Sequence, residues 1–248
     1  MFITRTNSTN TLLKELIAAG DPPQYIYAGY QTAGRGQAGN GWESEEGKNL
    51  LCSILLPPRK ELFELNVVVS VAVCLLVKKV IERSGLCSLS EAVSIKWPND
   101  IYWQDKKIAG ILIENAIIGN EVRYSIAGIG LNVNQTEWKS DAPNPISLKQ
   151  VTGKEWNVDE LMESLVQEVE KALKEDVWYN YRAHLYRREG IWPFAEREVS
   201  PEPSRVLTTT PQNMFMASIE DVTKDGKLVL KTAAGLKAYH FKEIQFVL

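Results

Sequence analysis

The chain has 248 residues, 44 % hydrophobic and 24 % charged, a composition ordinary for a soluble globular protein of one large or two unequal domains. With 16 glycines and 11 prolines it is neither collagen-like nor low-complexity. The 28 basic and 31 acidic residues leave a net charge of −3, which argues against a nucleic-acid or anionic-membrane surface as the main role. The three cysteines, Cys52, Cys74 and Cys87, form no C-x-x-C and have apolar neighbours, so buried thiols in a reducing compartment are expected. No signal peptide is legible at the start. The most apolar run, Leu65 to Val77, is shorter than the roughly 18–20 residues of a membrane span. A cytoplasmic chain is predicted.

In chain order, a first helix starts at a cap among Ser8, Thr9 or Asn10, carries Leu12, Leu13, Leu16 and Ile17, and stops at Gly20 before Pro22-Pro23. Tyr25 to Tyr30 reads as a strand, followed by a glycine-dense loop from Gly34 to Gly41. Asn49 to Leu56 reads as a second strand. A long helix from about Leu62 to Ser84, with Gly85 past its end, is apolar nearly all round and belongs in the interior. Val93 to Trp97 is expected as a strand that continues, after a turn at Pro98-Asn99-Asp100, through Ile101 to Trp103. Lys107 to Asn115 and Glu121 to Val133 read as paired strands joined at Gly119-Asn120. A helix from Val158 to about Lys174 follows, with Leu161, Leu165, Val169 and Leu173 in step. Past Pro193 the segments Arg205–Thr209, Met214–Val222, Lys227–Thr232, Leu236–Phe241 and Ile244–Val247 alternate between turn signals, the pattern of a small antiparallel barrel. Residues 1–195 are thus one α/β body and 196–248 a β-rich appendage.

Three stretches carry candidate chemistry. Gly34-Arg35-Gly36-Gln37-Ala38-Gly39 is a literal G-x-G-x-x-G, but no helix opens at its third glycine and Ile54-Leu55-Leu56-Pro57 stands where the ribose-binding acid is required, so the dinucleotide reading fails. The loop is either a cradle of N–H groups around Arg35 for a carboxylate or phosphate, or a flexible surface loop. In Lys96-Trp97-Pro98-Asn99-Asp100, a lysine closes an apolar strand; its ammonium needs a partner or ligand, or snorkels to water. Gly110 and Gly130 inside strands mark either a close approach to the backbone or relief of crowding against a helix. His184 and His240 lack ligand spacing and read as structural.

Taken in order, Ser8-Thr9-Asn10, Tyr30-Gln31-Thr32-Ala33-Gly34-Arg35-Gly36, Trp42-x-Ser44 with Gly47-x-Asn49-Leu50, Lys96-Trp97-Pro98-Asn99-Asp100, Lys107-Ile108-Ala109-Gly110-Ile111-Leu112 and Gly130-x-Asn132 closely resemble the biotin–protein ligases, from about residue 5 to the C-terminus. The resemblance implies an α+β fold: a mixed β-sheet backed by helices, like the class II synthetases, with a small C-terminal SH3-like β-barrel. It implies formation of biotinyl-5′-AMP from biotin and Mg-ATP, then transfer of biotin to one lysine of a biotin carboxyl carrier protein or domain of a carboxylase.

The same resemblance assigns Lys96 and Arg35 as catalytic residues, Lys96 against biotin carboxylate and α-phosphate and Arg35 on phosphate charge. It sets Ser8, Thr9, Asn10 and Gln31 on the ureido ring, Trp42 along the valeryl chain, and Gly34, Arg35, Gly36, Gln37, Lys96 and Gly110 elsewhere around biotin. Arg35, Lys96 and Asn132 would meet the nucleotide. Mg²⁺ would arrive with ATP, its protein ligands unassigned. Many relatives have further arginines where Gln37, Ala38 and Asn40 stand here, so weaker retention of biotinyl-AMP is expected. No aromatic matches the adenine platform, although Trp138 is nearby. The chain starts close to Ser8-Thr9-Asn10, so no operator binding is expected. A homodimer is neither required nor excluded. The rival readings are a lipoate or octanoate ligase of the same superfamily, and a non-catalytic biotin-binding module.

Overall fold

The computed structural model describes residues 1–248 apart from 60, 120, 141, 198–212 and 248. Its centre is a seven-stranded mixed sheet in the order β1-β2-β3-β7-β6-β5-β4. The strands are β1 (Phe2–Thr6), β2 (Tyr25–Gln31), β3 (Leu50–Leu56), β4 (Val93–Lys96), β5 (Asp100–Trp103), β6 (Lys106–Ile118) and β7 (Glu121–Leu131). Only β1 and β2 are parallel; each other neighbouring pair is antiparallel.

Two helices cover opposite faces, and strand alternation decides which residue goes where. On β3, Leu50, Cys52, Ile54 and Leu56 join the main core under α2 (Leu62–Arg83), while Leu55 packs with Leu13, Ile26 and Ile126 under α1 (Thr9–Ala19). As its composition predicts, α2 is buried over most of its length. It rests against α5 (Val158–Ala172), whose buried stripe is Leu161, Leu165 and Val169. Gly20, in the left-handed region, ends α1, and its N–H donates to Ile17 O. The short helices α3 (Cys87–Ser90), α4 (Leu148–Thr152) and α6 (Trp178–Ala183) fill the corners.

A second, smaller sheet has the order β11-β10-β9-β8-β12, with β8 (Trp192–Glu196), β9 (Met214–Val222), β10 (Leu228–Thr232), β11 (Gly235–Tyr239) and β12 (Ile244–Phe246). Trp97 Nε1 donates to Gly226 O at 3.0 Å, Arg188 to Ile219 O at 2.9 Å, and Arg182 pairs with Asp221. These contacts dock the small sheet on the large one.

Several expectations change. The segment Ile101–Trp103 does not prolong the strand before it: β4 and β5 form a hairpin in which Lys96 faces Asp100. The small sheet opens with β8 at Trp192. Its edges β11 and β12 are not paired among the described residues, so a closed barrel is not seen there, and Arg205–Thr209 lies outside the described residues. Cys52 and Cys74 are buried, but Cys87 is exposed, because it sits on a single surface turn. β1, unanticipated, is a polar edge strand with no alternation to betray it.

Candidate active site

The face of the large sheet under α1 does not carry a continuous apolar layer. On β6 the residues on this face run Gly110, Leu112 and Glu114, and on β7 they run Ile126, Gly128 and Gly130; Gly110 and Gly130 lie directly opposite each other. The two glycines together admit the indole of Trp42. A Cβ on Gly130 would stand 2.4 Å from Trp42 Cε2, and one on Gly110 would stand 2.7 Å from Cζ3. A Cβ on Gly128 would lie 2.5 Å from Asn10 Oδ1. Of the two readings of these glycines, close approach is the one the structure supports.

Between α1, the loop 34–41, the β4–β5 hairpin and the small sheet opens a cavity of about 620 Å³, within the roughly 300–1,000 Å³ usual for small-molecule sites. At one end sits the start of α1. Ser8 is its N-cap residue but makes no side-chain cap bond, and Ser8, Thr9 and Asn10 are all buried. The N–H and hydroxyl of Thr9 donate to Gln31 Oε1 at 2.7 and 3.1 Å. The Ser53 hydroxyl lies 2.7 Å from Thr9 Oγ1 and 2.5 Å from Asn10 Oδ1. This end is a preset group of hydroxyls and amides, able to match a ligand with both donors and acceptors.

The other end is cationic. Lys96 Nζ donates to Tyr102 Oη at 3.1 Å and lies 4.7 and 5.5 Å from the ring centroids of Tyr102 and Phe246. Burial lowers its pKa to about 8; the Asp100 carboxylate opposes that, and Lys107, Arg187 and Arg197 add to it. Lys107, 5.7 Å from the Trp42 ring, pairs with Asp100 at 2.7 Å. Arg197 and Lys242 reach the cavity from the small sheet. Lys96, Lys107, Arg197 and Lys242 thus face only the carboxylate of Asp100 among the described lining residues. Such a surplus of positive charge favours anions.

The loop 34–41 folds across the cavity as a narrow turn. Trp42 N–H donates to Gly34 O at 3.0 Å, and a Cβ on Gly34 would stand 2.7 Å from Trp42 O. Arg35 donates to Glu114 Oε2 at 3.2 Å and to Thr11 Oγ1 at 3.3 Å. Gln37 Nε2 donates to Asn99 Oδ1 at 2.9 Å, and Asn99 Nδ2 to Asn66 Oδ1 on α2 at 2.7 Å. The loop is therefore fastened on both sides of the cavity.

Of the residues singled out in the sequence, Ser8, Thr9, Asn10, Gln31, Arg35, Gly36, Gln37, Trp42, Lys96 and Gly110 all border this one cavity. Gly34 and Asn132 do not. Asn132 is buried, and its Nδ2 donates to Ile146 O at 3.0 Å while its Oδ1 has no partner among the described residues. Sequence reasoning left Lys107 without a role, read Asp100 only as orienting a turn or cap, and left Arg197 and Lys242 without a role. The first two stand inside quoted motifs, a usable signal; Arg197 and Lys242 carry none.

Fold and cavity together define a mixed sheet that carries, on one face, a cavity whose charge suits an anionic small molecule. The profile of the Biotin/lipoate A/B protein ligase family matches residues 2–132, and the chain belongs to that family. It is 28 % identical over 228 residues to the bifunctional ligase/repressor BirA of Bacillus subtilis, covering 89 % of this chain and 65 % of that one. The chain spans about two thirds of the length of that relative and 55 % of BirA from Escherichia coli. It is 26 % identical over 252 residues to the biotin–[acetyl-CoA-carboxylase] ligase of Paracoccus denitrificans, covering 98 % and 99 % of the two chains. Among solved structures, biotin protein ligase from Aquifex aeolicus in complex with biotin and ATP superposes with a TM-score of 0.73 over 100 % of this chain and 98 % of that one, at 24 % identity.

Proposed function

We propose that this chain is a biotin–protein ligase, which makes biotinyl-5′-AMP and passes biotin to a lysine of a carboxylase's carrier protein or domain. The observation that carries the reading is one cavity bordered by the hydroxyls and amides of Ser8, Thr9, Asn10 and Gln31, by the Trp42 indole, and by the Lys96 and Arg35 cations.

In the first step a biotin carboxylate oxygen attacks the α-phosphorus of ATP, the Pα–O bond to the β-phosphate breaks, and pyrophosphate leaves. Two anions must meet, so fixed cations at their meeting point lower the barrier. Lys96 serves the carboxylate and α-phosphate; Arg35 serves the phosphates. Ser8, Thr9, Asn10 and Gln31 bind the ureido group, and Trp42 packs on the valeryl chain. Gly36, Gln37 and Gly110 shape the wall, and Gly34 shapes it through the turn it makes with Trp42. Asn132, whose buried Oδ1 has no partner among the described residues, offers an acceptor to the nucleotide through a rearrangement of the 144–148 loop. In the second step the carrier's neutral lysine amine attacks the acyl carbon, and AMP leaves with the acyl oxygen while the amine's proton passes to solvent.

No group of three or more His, Cys, Asp or Glu side chains comes together among the described residues. Mg²⁺ enters as part of the Mg-ATP substrate. No described helix is long and apolar enough to cross a membrane; a cytoplasmic site of action is part of the proposal. We further read residues 1–195 as the catalytic domain and 196–248 as an SH3-like barrel, with β8 contributed from the border.

Biotin-dependent exchange of labelled pyrophosphate into ATP tests the reading. Exchange with biotin and none with lipoate is expected. Exchange with lipoate alone would make the chain a lipoate ligase, and biotin binding without exchange would make it a binding module.

A further inference from the structure

Glu114 lies on β6 behind the cavity wall and closes the stretch around Gly110 that stands out in the sequence, where nothing assigns it a role. Its carboxylate collects three donors from three places. Asn10 Nδ2 donates to Oε2 at 2.7 Å, Arg35 Nη2 to the same Oε2 at 3.2 Å, and Lys14 Nζ to Oε1 at 2.8 Å. Its side chain is only 21 % exposed, so these charge-assisted bonds are partly sheltered from water. Asn10 is held from both ends: Oδ1 faces Ser53 at 2.5 Å, and Nδ2 is spent on Glu114 apart from a long 3.5 Å contact to Leu112 O. One carboxylate oxygen thus joins Asn10, at the polar end of the cavity, to the loop cation Arg35.

We propose that Glu114 is a positioning residue that couples the two substrate subsites. This rests on the biotin–ligase reading above. When a ureido carbonyl takes the Asn10 Nδ2 proton, Oε2 is left to Arg35 alone. The guanidinium is then fixed on the cavity wall before the nucleotide arrives, and a preset cation binds phosphate at lower ordering cost. Coupling between two ligands is reciprocal, so ATP raises biotin affinity by the same factor. Lys14 sits on the other oxygen and on the outer turn of α1, so it balances charge without joining the relay.

The test is a binding cycle with a non-hydrolysable ATP analogue. Its affinity is measured with and without saturating biotin for the wild type, Glu114→Gln, Glu114→Asp and Lys14→Met. Saturating biotin is expected to tighten analogue binding at least about fivefold in the wild type and in Lys14→Met, and less than about twofold in Glu114→Gln. Glu114→Asp, which keeps the charge on a shorter arm, is expected in between. Biotin alone binds Glu114→Gln within about threefold of wild type, since Ser53 still holds Asn10. Equal coupling in wild type and Glu114→Gln overturns the inference, as does its loss in Lys14→Met, which would make the effect one of general charge. If Glu114→Gln does not fold, Glu114→Asp against wild type decides by the same comparison. A wild type that fails to exchange pyrophosphate with biotin refutes the functional reading instead, a separate result.

Discussion

The two faces of the large sheet are built from the same strands and follow opposite rules. Under α2, Cys52, Ile54, Ile111, Ile129 and Leu131 meet an apolar helix and leave a dry core. Under α1, the alternate positions are Ser53, Gly110, Glu114, Gly128 and Gly130, and a cavity stands where the core would continue. A period of two is enough to place stability on one side and chemistry on the other. Substitutions on the α2 face should therefore alter melting and spare turnover, and substitutions on the α1 face should do the reverse.

The largest expected effect is Lys96→Ala. Removing the ammonium should lower biotin-dependent pyrophosphate exchange by about 10²–10³-fold, with thermal unfolding close to wild type; unchanged exchange would take Lys96 out of the mechanism. On the opposite face, Leu76→Ala in α2 should cost about 2–5 kcal/mol of stability, measured by urea unfolding, and leave the kcat of the surviving folded protein near wild type. Gly130→Ala places a methyl group against the Trp42 indole and should raise the KM for biotin about tenfold with a smaller change in the KM for ATP; equal changes in both would mean that Trp42 does not line the biotin side.

A pH series sharpens the contrast at one residue. Burial holds the Lys96 ammonium at about 8, below its ordinary 10.5, so kcat/KM for ATP should fall as pH rises past about 8. Stability shifts the other way. Between about 8 and 10.5 the unfolded chain holds more protons on this lysine than the folded one does, so its contribution to stability rises with pH across that window. Subtracting the stability profile of Lys96→Met from that of the wild type isolates this slope; a flat difference would show that the ammonium is not penalised by its surroundings. The smallest effect is at Gln37. An arginine there adds phosphate-binding charge but breaks the bond to Asn99 that fastens the loop, so Gln37→Arg should slow release of labelled biotinyl-AMP by only about two- to fivefold. Equal release rates would show that charge in this loop does not govern retention.

Much of this contrast was legible in the sequence. The all-round apolar pattern of α2 predicted its burial, and the in-strand glycines at 110 and 130 left two readings open, close approach or relief of crowding, of which the Trp42 indole decides for the first. Ten of the twelve residues assigned to the site border one cavity. What escaped depends on contacts distant in sequence. The fold-back of β5 on β4, which sets Asp100 beside Lys96 and within reach of Lys107, has the same local pattern as a strand interrupted by a turn. Glu114 looks like any polar residue near a strand's end until α1 and the loop 34–41 are placed over it. Arg197 and Lys242 join the site only because Trp97 docks the small sheet, and no local pattern reports that docking. Asn132 shows the converse, since its motif is legible but its side chain is committed to Ile146 O.

The most direct measurement is a crystal structure of the protein after incubation with biotin and Mg-ATP. Density for an acyl-adenylate with its ureido ring at Ser8, Thr9 and Gln31, its chain along Trp42 and its phosphate within hydrogen-bond distance of both Lys96 Nζ and the Arg35 guanidinium is the result expected. An adenylate lying elsewhere, or one bound in this cavity with either cation turned away from the phosphate, would contradict the assignment of chemistry to this face of the sheet.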